Sequence, residues 1–183
     1  MKAQSIRRAG PQDAAVLADL GASTFLEAFG QANEPRNIER YIADTFSETR
    51  TRAALADECC HYWIASDPSG DPIGYTKLRT GSRPECLQGT EPVEIQRIYV
   101  TRAAIGTGLG AALMRTALAW ASRSGHDSIW LGVWEENTHA IEFYERWEFE
   151  AVGHQVFRLG EDDQRDLIME RDLSTGTLPT ASP

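Results

Sequence analysis

Several things that would fix a function by themselves are scarce in this chain. It has three cysteines in 183 residues, two of them adjacent at Cys59 and Cys60. They lay out no disulfide framework, so buried or semi-buried free thiols in a reducing cytosol are expected. The four histidines, His61, His126, His139 and His154, form no i, i+4 pair and no Cys/His cluster, and no metal site is expected. No apolar run approaches the ~20 residues of a membrane span, so no membrane partner is expected. The opening MKAQSIRRAGPQDAA carries no hydrophobic signal region, and the expected location is cytoplasmic. Basic residues are in deficit, 18 Lys and Arg against 27 Asp and Glu, for a net charge of −9. Nonspecific nucleic-acid binding, which needs cations to meet phosphates, is therefore not expected. The acidity does not select a substrate, because it also serves solubility.

What is present suits one globular domain. The 42% hydrophobic content is ordinary, and there is neither an internal repeat nor a linker. A single domain over residues 1–173 is expected, with the small, polar stretch 174–183 (STGTLPTASP) as a disordered tail. Ser5 to Ala9 reads as a strand. Pro11 then leads into a helix from Ala14 to Phe29, which Gly30 to Asn33 breaks. Helical pattern resumes at Pro35, with Ile38, Tyr41, Ile42 and Phe46 on one face, and Ser47 opens a further helix through Ala56. His61 to Ser66 and Ile73 to Arg79 read as strands joined by the turn Pro68-Ser69-Gly70-Asp71. Thr80 to Pro92, with two glycines and two prolines, reads as a mobile connection. Gly125 stops a helix, Asn137 caps the next one, and Ala151 to Leu159 and Arg165 to Arg171 read as closing strands.

The most informative stretch runs from Glu94 to Ala121. An alternating β-branched run (Val93, Ile95, Ile98, Val100) gives way to a loop with Gly106, Gly108 and Gly110. Leu109, Leu113, Ala117 and Trp120 then recur at i, i+4, i+8 and i+11 of a helix. Strand, glycine loop and helix start together aim free backbone N–H groups at a phosphate. Two nucleotide readings fail on spacing. No Gly-Lys pair exists for a Walker loop. A dinucleotide fingerprint needs its third glycine one residue later, a tighter turn after the strand, and an acid at the end of the next strand.

The segment Ile105-Gly106-Thr107-Gly108-Leu109-Gly110 resembles motif A of the GNAT superfamily of acyl-CoA-dependent N-acetyltransferases, Q/R-x-x-G-x-G/A. The usual first polar residue is Ile105 here, a change that removes a side chain and no backbone donor. Ser128 to Phe149 resembles the family's next strand and helix, N-x-x-A-x-x-F-Y-x-x-x-G-F. Asn137, Ala140, Phe143, Tyr144 and Phe149 fall in register, and Glu148 replaces the glycine. That glycine normally ends the helix in a left-handed conformation, so a glutamate there would cost roughly 1 kcal/mol unless the turn differs. The resemblance implies an α/β fold. It would be a mixed, mostly antiparallel twisted sheet of about seven strands with helices on both faces, its two central strands splayed to admit the cofactor. It also implies acetyl-CoA as cosubstrate, held by Ile98, Tyr99, Val100, Gly106, Thr107, Gly108, Leu109, Gly110, Ala111 and Asn137.

Acetyl transfer from a thioester to an amine needs a carboxylate, direct or through water, on the amine side, and a weak acid beside the sulfur. Tyr144 is the candidate donor. The same i, i+3, i+4, i+7 spacing of Ala140, Phe143, Tyr144 and Trp147 also suits a core helix. Glu94 is the candidate base, on an alternation that sets Glu94, Gln96 and Ile98 on one face; a solvated edge carboxylate is the other reading. Glu27 and Glu34 are candidate acceptor-side carboxylates, because the first helices wall the acceptor pocket in this superfamily. Arg102 would meet the adenosine phosphates or sit in solvent, and Trp130 and Trp134 would be core or pocket wall. No cysteine follows the pattern of an acyl-carrying nucleophile, so direct attack in a ternary complex is expected. VWEENTHAIEFYERWEF and VFRLGEDDQRDLIMERDL resemble the PaiA-like spermidine/spermine acetyltransferases, which implies a small polyamine as acceptor. Acetylation of a protein N-terminus or lysine, and a non-catalytic acyl-CoA-binding module, are the alternatives. A homodimer is common among relatives.

Overall fold

Local signals set most element boundaries in residues 4–174, which the computed structural model describes; residues 175–183 of the expected tail lie outside them. Strand β1 (Ser5–Arg8) leads through a short 3-10 turn opened by Pro11 into helix α1 (Ala14–Phe29). Helix α2 (Pro35–Thr45) follows the glycine break, and the Ser47 hydroxyl accepts the Arg50 N–H to cap α3 (Glu48–Ala56). β2 (Cys60–Ser66) and β3 (Pro72–Arg79) form a hairpin. Its turn is held by three N–H groups, of Ser69, Gly70 and Asp71, on one Asp67 carboxylate oxygen. β4 (Pro92–Val100) passes through the glycine loop into α4 (Leu109–Arg123), which Gly125 ends at φ +84°. β5 (Ser128–Trp134) precedes α5 (Thr138–Glu145), where the Asn137 side chain accepts the Ala140 N–H. β6 (Glu150–Leu159) and β7 (Asp162–Asp172) close the chain.

The glutamate that replaces the family's glycine takes the left-handed seat after all. Glu148 has φ +63°, its N–H reaches the Glu145 carbonyl, and the Phe149 N–H reaches Tyr144. That is the Schellman closure of a helix end. The backbone strain is offset by an ion pair, for the Glu148 carboxylate lies 3.0 Å from the buried guanidinium of Arg171.

All seven strands join one sheet in the order β1-β2-β3-β4-β5-β7-β6. Every pairing is antiparallel except that of β4 with β5. Helices cover both faces, as side-chain alternation along β2 makes visible. Tyr62 and Ile64 pack with Leu17 and Leu20 of α1, whereas Trp63 between them packs with Met114 and Leu118 of α4. The α1–α3 side is the front here and the α4–α5 side the back. No helix among the described residues is long and apolar enough to cross a membrane.

Two features of β4 set the geometry at the centre of the sheet. Its parallel pairing with β5 covers only Pro92, Val93 and Glu94, opposite Ser128, Ile129 and Trp130. Beyond Glu94 the two strands splay, and the β5-facing edge of β4 is left open. β4 also bulges, since Lys77 pairs Arg97 and Leu78 pairs Ile95, which leaves Gln96 without a partner. The bulge reverses the alternation, so the expectation that Glu94, Gln96 and Ile98 share a face is corrected. Ile98 joins Val93 and Ile95 on the back, while Tyr99 packs on the front.

The expected mobile connection is also corrected. The Asp127 carboxylate accepts the N–H groups of Thr90 and Glu91, and Glu170 accepts those of Gln88 and Gly89. Leu87 is buried against Trp130 and Ile168. Thr80 to Pro92 is therefore tied down along its second half by carboxylates distant in sequence.

Candidate active site

The glycine loop is built as a donor array. Gly106 (φ +80°) and Gly108 (φ +83°) hold left-handed conformations that a side chain would strain. A Cβ at either would meet nothing within 4 Å, so both face open space. Among the described residues no acceptor takes the N–H of Gly106, Gly108, Leu109, Gly110 or Ala111. The last three belong to the first turn of α4, where the helix dipole adds partial positive charge. Thr107 turns inward, its hydroxyl donating to the Ala104 carbonyl at 2.7 Å. Gly110 lies against the Phe143 ring, which sets α5 beside the loop.

From that loop the open edge of β4 runs back through Val100, Tyr99 and Ile98 to a cavity of about 390 Å³ at the splay. Glu94, Gln96, Ile98 and Tyr99 line it from β4, Gly132 and Trp134 from β5, Asn137 from the cap of α5 and Tyr144 from α5 itself. The structure thus brings Glu94, Ile98, Tyr99, Asn137 and Tyr144 around one space, with the Gly106–Ala111 amides at the far end of the open edge. Trp134 is cavity wall, and Trp130 is core, its indole N–H donating to the Ser82 carbonyl.

The front helices do wall the cavity, but through aromatics. Phe25 and Phe29 of α1 and Tyr41 of α2 line it, with Phe25 stacked on Tyr41 at 4.6 Å and Phe157 edge-on to Tyr41 at 5.4 Å. Glu27 and Glu34 are not on its wall. The Glu27 carboxylate accepts the Arg102 N–H at 2.8 Å, bracing the root of the glycine loop. Glu34 is exposed just before α2, where its carbonyl accepts the N–H groups of Asn37 and Ile38. Arg102 is exposed too, its guanidinium reaching the Glu27 carbonyl.

Electrostatics separate the two carboxylates of the cavity. Burial raises the Glu94 carboxyl above its ordinary range, while Arg79, Lys77 and Arg97 pull it back. Asp166 of β7, not singled out from the sequence, is only 7% exposed and lines the same cavity. Burial alone pushes it up to about 6. Its signs in the sequence were the closing segment VFRLGEDDQRDLIMERDL that carries it and the spacing of Gln164 and Asp166, which puts two polar groups on one face of a closing strand. Burial raises the Tyr144 phenol well above its usual value, so it stays protonated through neutral pH. The Gln96 side-chain oxygen, at the bulge, is buried with no hydrogen-bond partner. Among the described residues no group of His, Cys, Asp and Glu is gathered to hold a metal.

A splayed parallel strand pair thus joins a loop of unpaired amides at one end to a tyrosine–carboxylate cavity at the other. Comparison with known proteins gives the family. The model of the acetyltransferase (GNAT) family matches residues 22–149. An uncharacterized N-acetyltransferase of Mycobacterium tuberculosis is 32% identical over 88% of this chain and 98% of its own. One of Lactobacillus delbrueckii subsp. lactis is 27% identical over 84% of this chain and 88% of its own. In fold, the chain is similar to the PaiA N-acetyltransferase from Thermoplasma acidophilum in complex with coenzyme A. The TM-score is 0.74 at 18% identity, covering 93% of this chain and 99% of that one. The chain belongs to the acetyltransferase (GNAT) family. By class it is an acetyl-CoA-dependent acetyltransferase.

Proposed function

We propose that the protein transfers the acetyl group of acetyl-CoA to a primary amine of a small polyamine by direct attack in a ternary complex. The observation that carries this reading is the continuous path from the unpaired loop amides, along the open β4 edge, to a cavity holding both a protonated tyrosine and carboxylates. In this reading the N–H groups of Gly106 and of Gly108 to Ala111 grip the diphosphate, with Thr107 shaping the turn. Ile98, Tyr99 and Val100 offer backbone to the pantetheine arm like an added strand, and Asn137 contacts it from the cap of α5.

The acceptor must be neutral to attack, although an alkylammonium has a pKa near ~10. Glu94, made more basic by burial, takes that proton directly or through water. The amine nitrogen bonds to the thioester carbon, the carbon–sulfur bond breaks, and Tyr144 gives its proton to the departing thiolate. Burial keeps the phenol protonated, so the proton is in place at neutral pH, although the same burial makes the phenol a weaker acid until the thiolate forms beside it. The cavity's aromatic front suits a slim alkyl chain carrying positive charge. Cys60 and Cys86 are half-buried free thiols, whereas Cys59, expected to be at least half-buried, is exposed.

The test is release of free thiol from acetyl-CoA across polyamines, amino acids, aminoglycosides and peptides. Turnover on polyamines is expected. Tight coenzyme A binding with no turnover on any acceptor would overturn the reading.

A further inference from the structure

We propose that Asp166 is the receptor for a second, non-reacting ammonium group of the acceptor, and so selects diamines over monoamines at this site. The inference rests on the acetyl-transfer reading and adds the group that reads the acceptor's charge. Asp166 stands on β7 beside Gln155 of β6 and Trp134 of β5. Gly132 leaves the front of β5 bare at that one position, between Trp130 and Trp134. A Cβ there would meet Gln155 Nε2 at 2.7 Å and Asp166 Oδ2 at 3.3 Å, so both side chains lean over the glycine at the cavity wall. Neither a hydrogen bond nor an ion pair to the Asp166 carboxylate is found among the described residues.

A nearly buried carboxylate without a cation is costly unless something positive is meant to meet it. Glu94 cannot serve that purpose equally well, because Arg79, Lys77 and Arg97 already offset its charge. Nor is Asp166 suited to hold the reacting nitrogen, because a carboxylate favours the protonated amine and the attacking amine must be neutral. Glu94 stands where β4 and β5 part, whereas Asp166 stands on the far wall, beyond β5. A chain with nitrogens at both ends would span the two. The titratable groups facing the cavity with Asp166 are Tyr41 of α2, Glu94, Arg97 and Tyr99 of β4, and Tyr144 of α5; α1, β5 and β6 face it with uncharged residues. None of them shifts Asp166, for which burial is the sole cause.

The experiment compares kcat/KM for a four-carbon diamine and a four-carbon monoamine, by thiol release from acetyl-CoA. At pH 8 the wild-type protein should favour the diamine by about 30-fold or more, the factor for losing one partner of a buried charge pair at its lower limit. Asp166→Asn should bring the ratio near one by raising KM for the diamine, with the KM for acetyl-CoA unchanged. The wild-type protein gives a second reading that needs no variant. Its diamine preference should fall about tenfold between pH 8 and pH 5, as the carboxyl of the free enzyme takes up its proton. A wild-type ratio near one, or a preference unchanged by Asp166→Asn or by pH, overturns the inference while turnover itself stands. Absence of turnover with every amine overturns the acetyl-transfer reading instead.

Discussion

Asp166→Asn should make the protein more stable at neutral pH, and by an amount the structure sets. Burial raises the carboxyl from its ordinary 3.8 to about 6. The folded state therefore binds this proton more tightly than the unfolded chain does. Below pH 3.8 both states hold the proton and the site costs nothing. As pH rises from 3.8 to 6 the unfolded chain releases it first, so stability falls across that window and the loss is complete above it. About two units at ~1.36 kcal/mol each come to roughly 3 kcal/mol. At ~2–4 °C per kcal/mol for a chain of this size, Asn should raise Tm by roughly 6–12 °C at pH 8. An Asn amide without partners lowers that gain by an amount that does not vary with pH. The assay is therefore the difference in Tm between variant and wild type, measured by thermal unfolding at pH 4 and pH 8. A difference that is the same at both pH values would refute the reasoning. A gain confined to high pH would mean that the carboxylate is kept at the expense of stability, as expected of a group that serves binding.

Tyr144→Phe should lower kcat by about 10²-fold or more, with the affinity for coenzyme A unchanged by calorimetry; equal kcat would remove Tyr144 as the proton donor. Gly108→Ala should lose about 1–2 kcal/mol of stability, because its φ of +83° suits only glycine. Gly110→Ala should leave stability unchanged or slightly improved, because its Cβ would meet only the Phe143 ring at 3.8 Å. It should still weaken coenzyme A binding, by holding the diphosphate off the backbone, and undiminished affinity would contradict that. Glu148→Gly and Glu148→Ala both remove the Glu148 carboxylate from Arg171. Glycine alone relieves the strain at φ +63°, so it should be the more stable of the two by about 1 kcal/mol in denaturant unfolding. Equal stabilities would show that no strain is stored there.

The parts of the fold legible in the sequence were those that local chemistry decides. Pro11, the Ser47 and Asn137 caps, the Pro68–Asp71 turn and the Gly106–Gly110 loop each act within a few residues, and the structure has them where the sequence implied. Glu148 was legible only in part, because the motif marked the helix end while the sequence left open whether the turn keeps its left-handed residue without glycine. The bulge at Gln96 could not, since it exists only in the register of β4 against β3, and it moved Ile98 to the back of the sheet. The segment Thr80–Pro92 looked free because its anchors, Asp127 and Glu170, lie 36–82 residues away from the amides they hold. Asp166 was missed for the same reason. A carboxylate in a closing strand looks solvated until β5, β6 and the front helices are packed around it. Glu27 and Glu34 lie near the ends of the right helices, but helical rotation turned Phe25 and Phe29 to the cavity and Glu27 away from it, and Glu34 stands before the first turn of α2.

The central claim is that the backbone amides after β4 grip the diphosphate of coenzyme A. Its most direct test is a ¹H–¹⁵N titration of the labelled protein with coenzyme A and, separately, with pantetheine, which lacks the diphosphate. The amides of Gly106, Gly108, Leu109, Gly110 and Ala111 should shift together and saturate with coenzyme A, and stay near their free positions with pantetheine. Unmoved loop amides at saturating coenzyme A, or identical shifts with both ligands, would contradict the account.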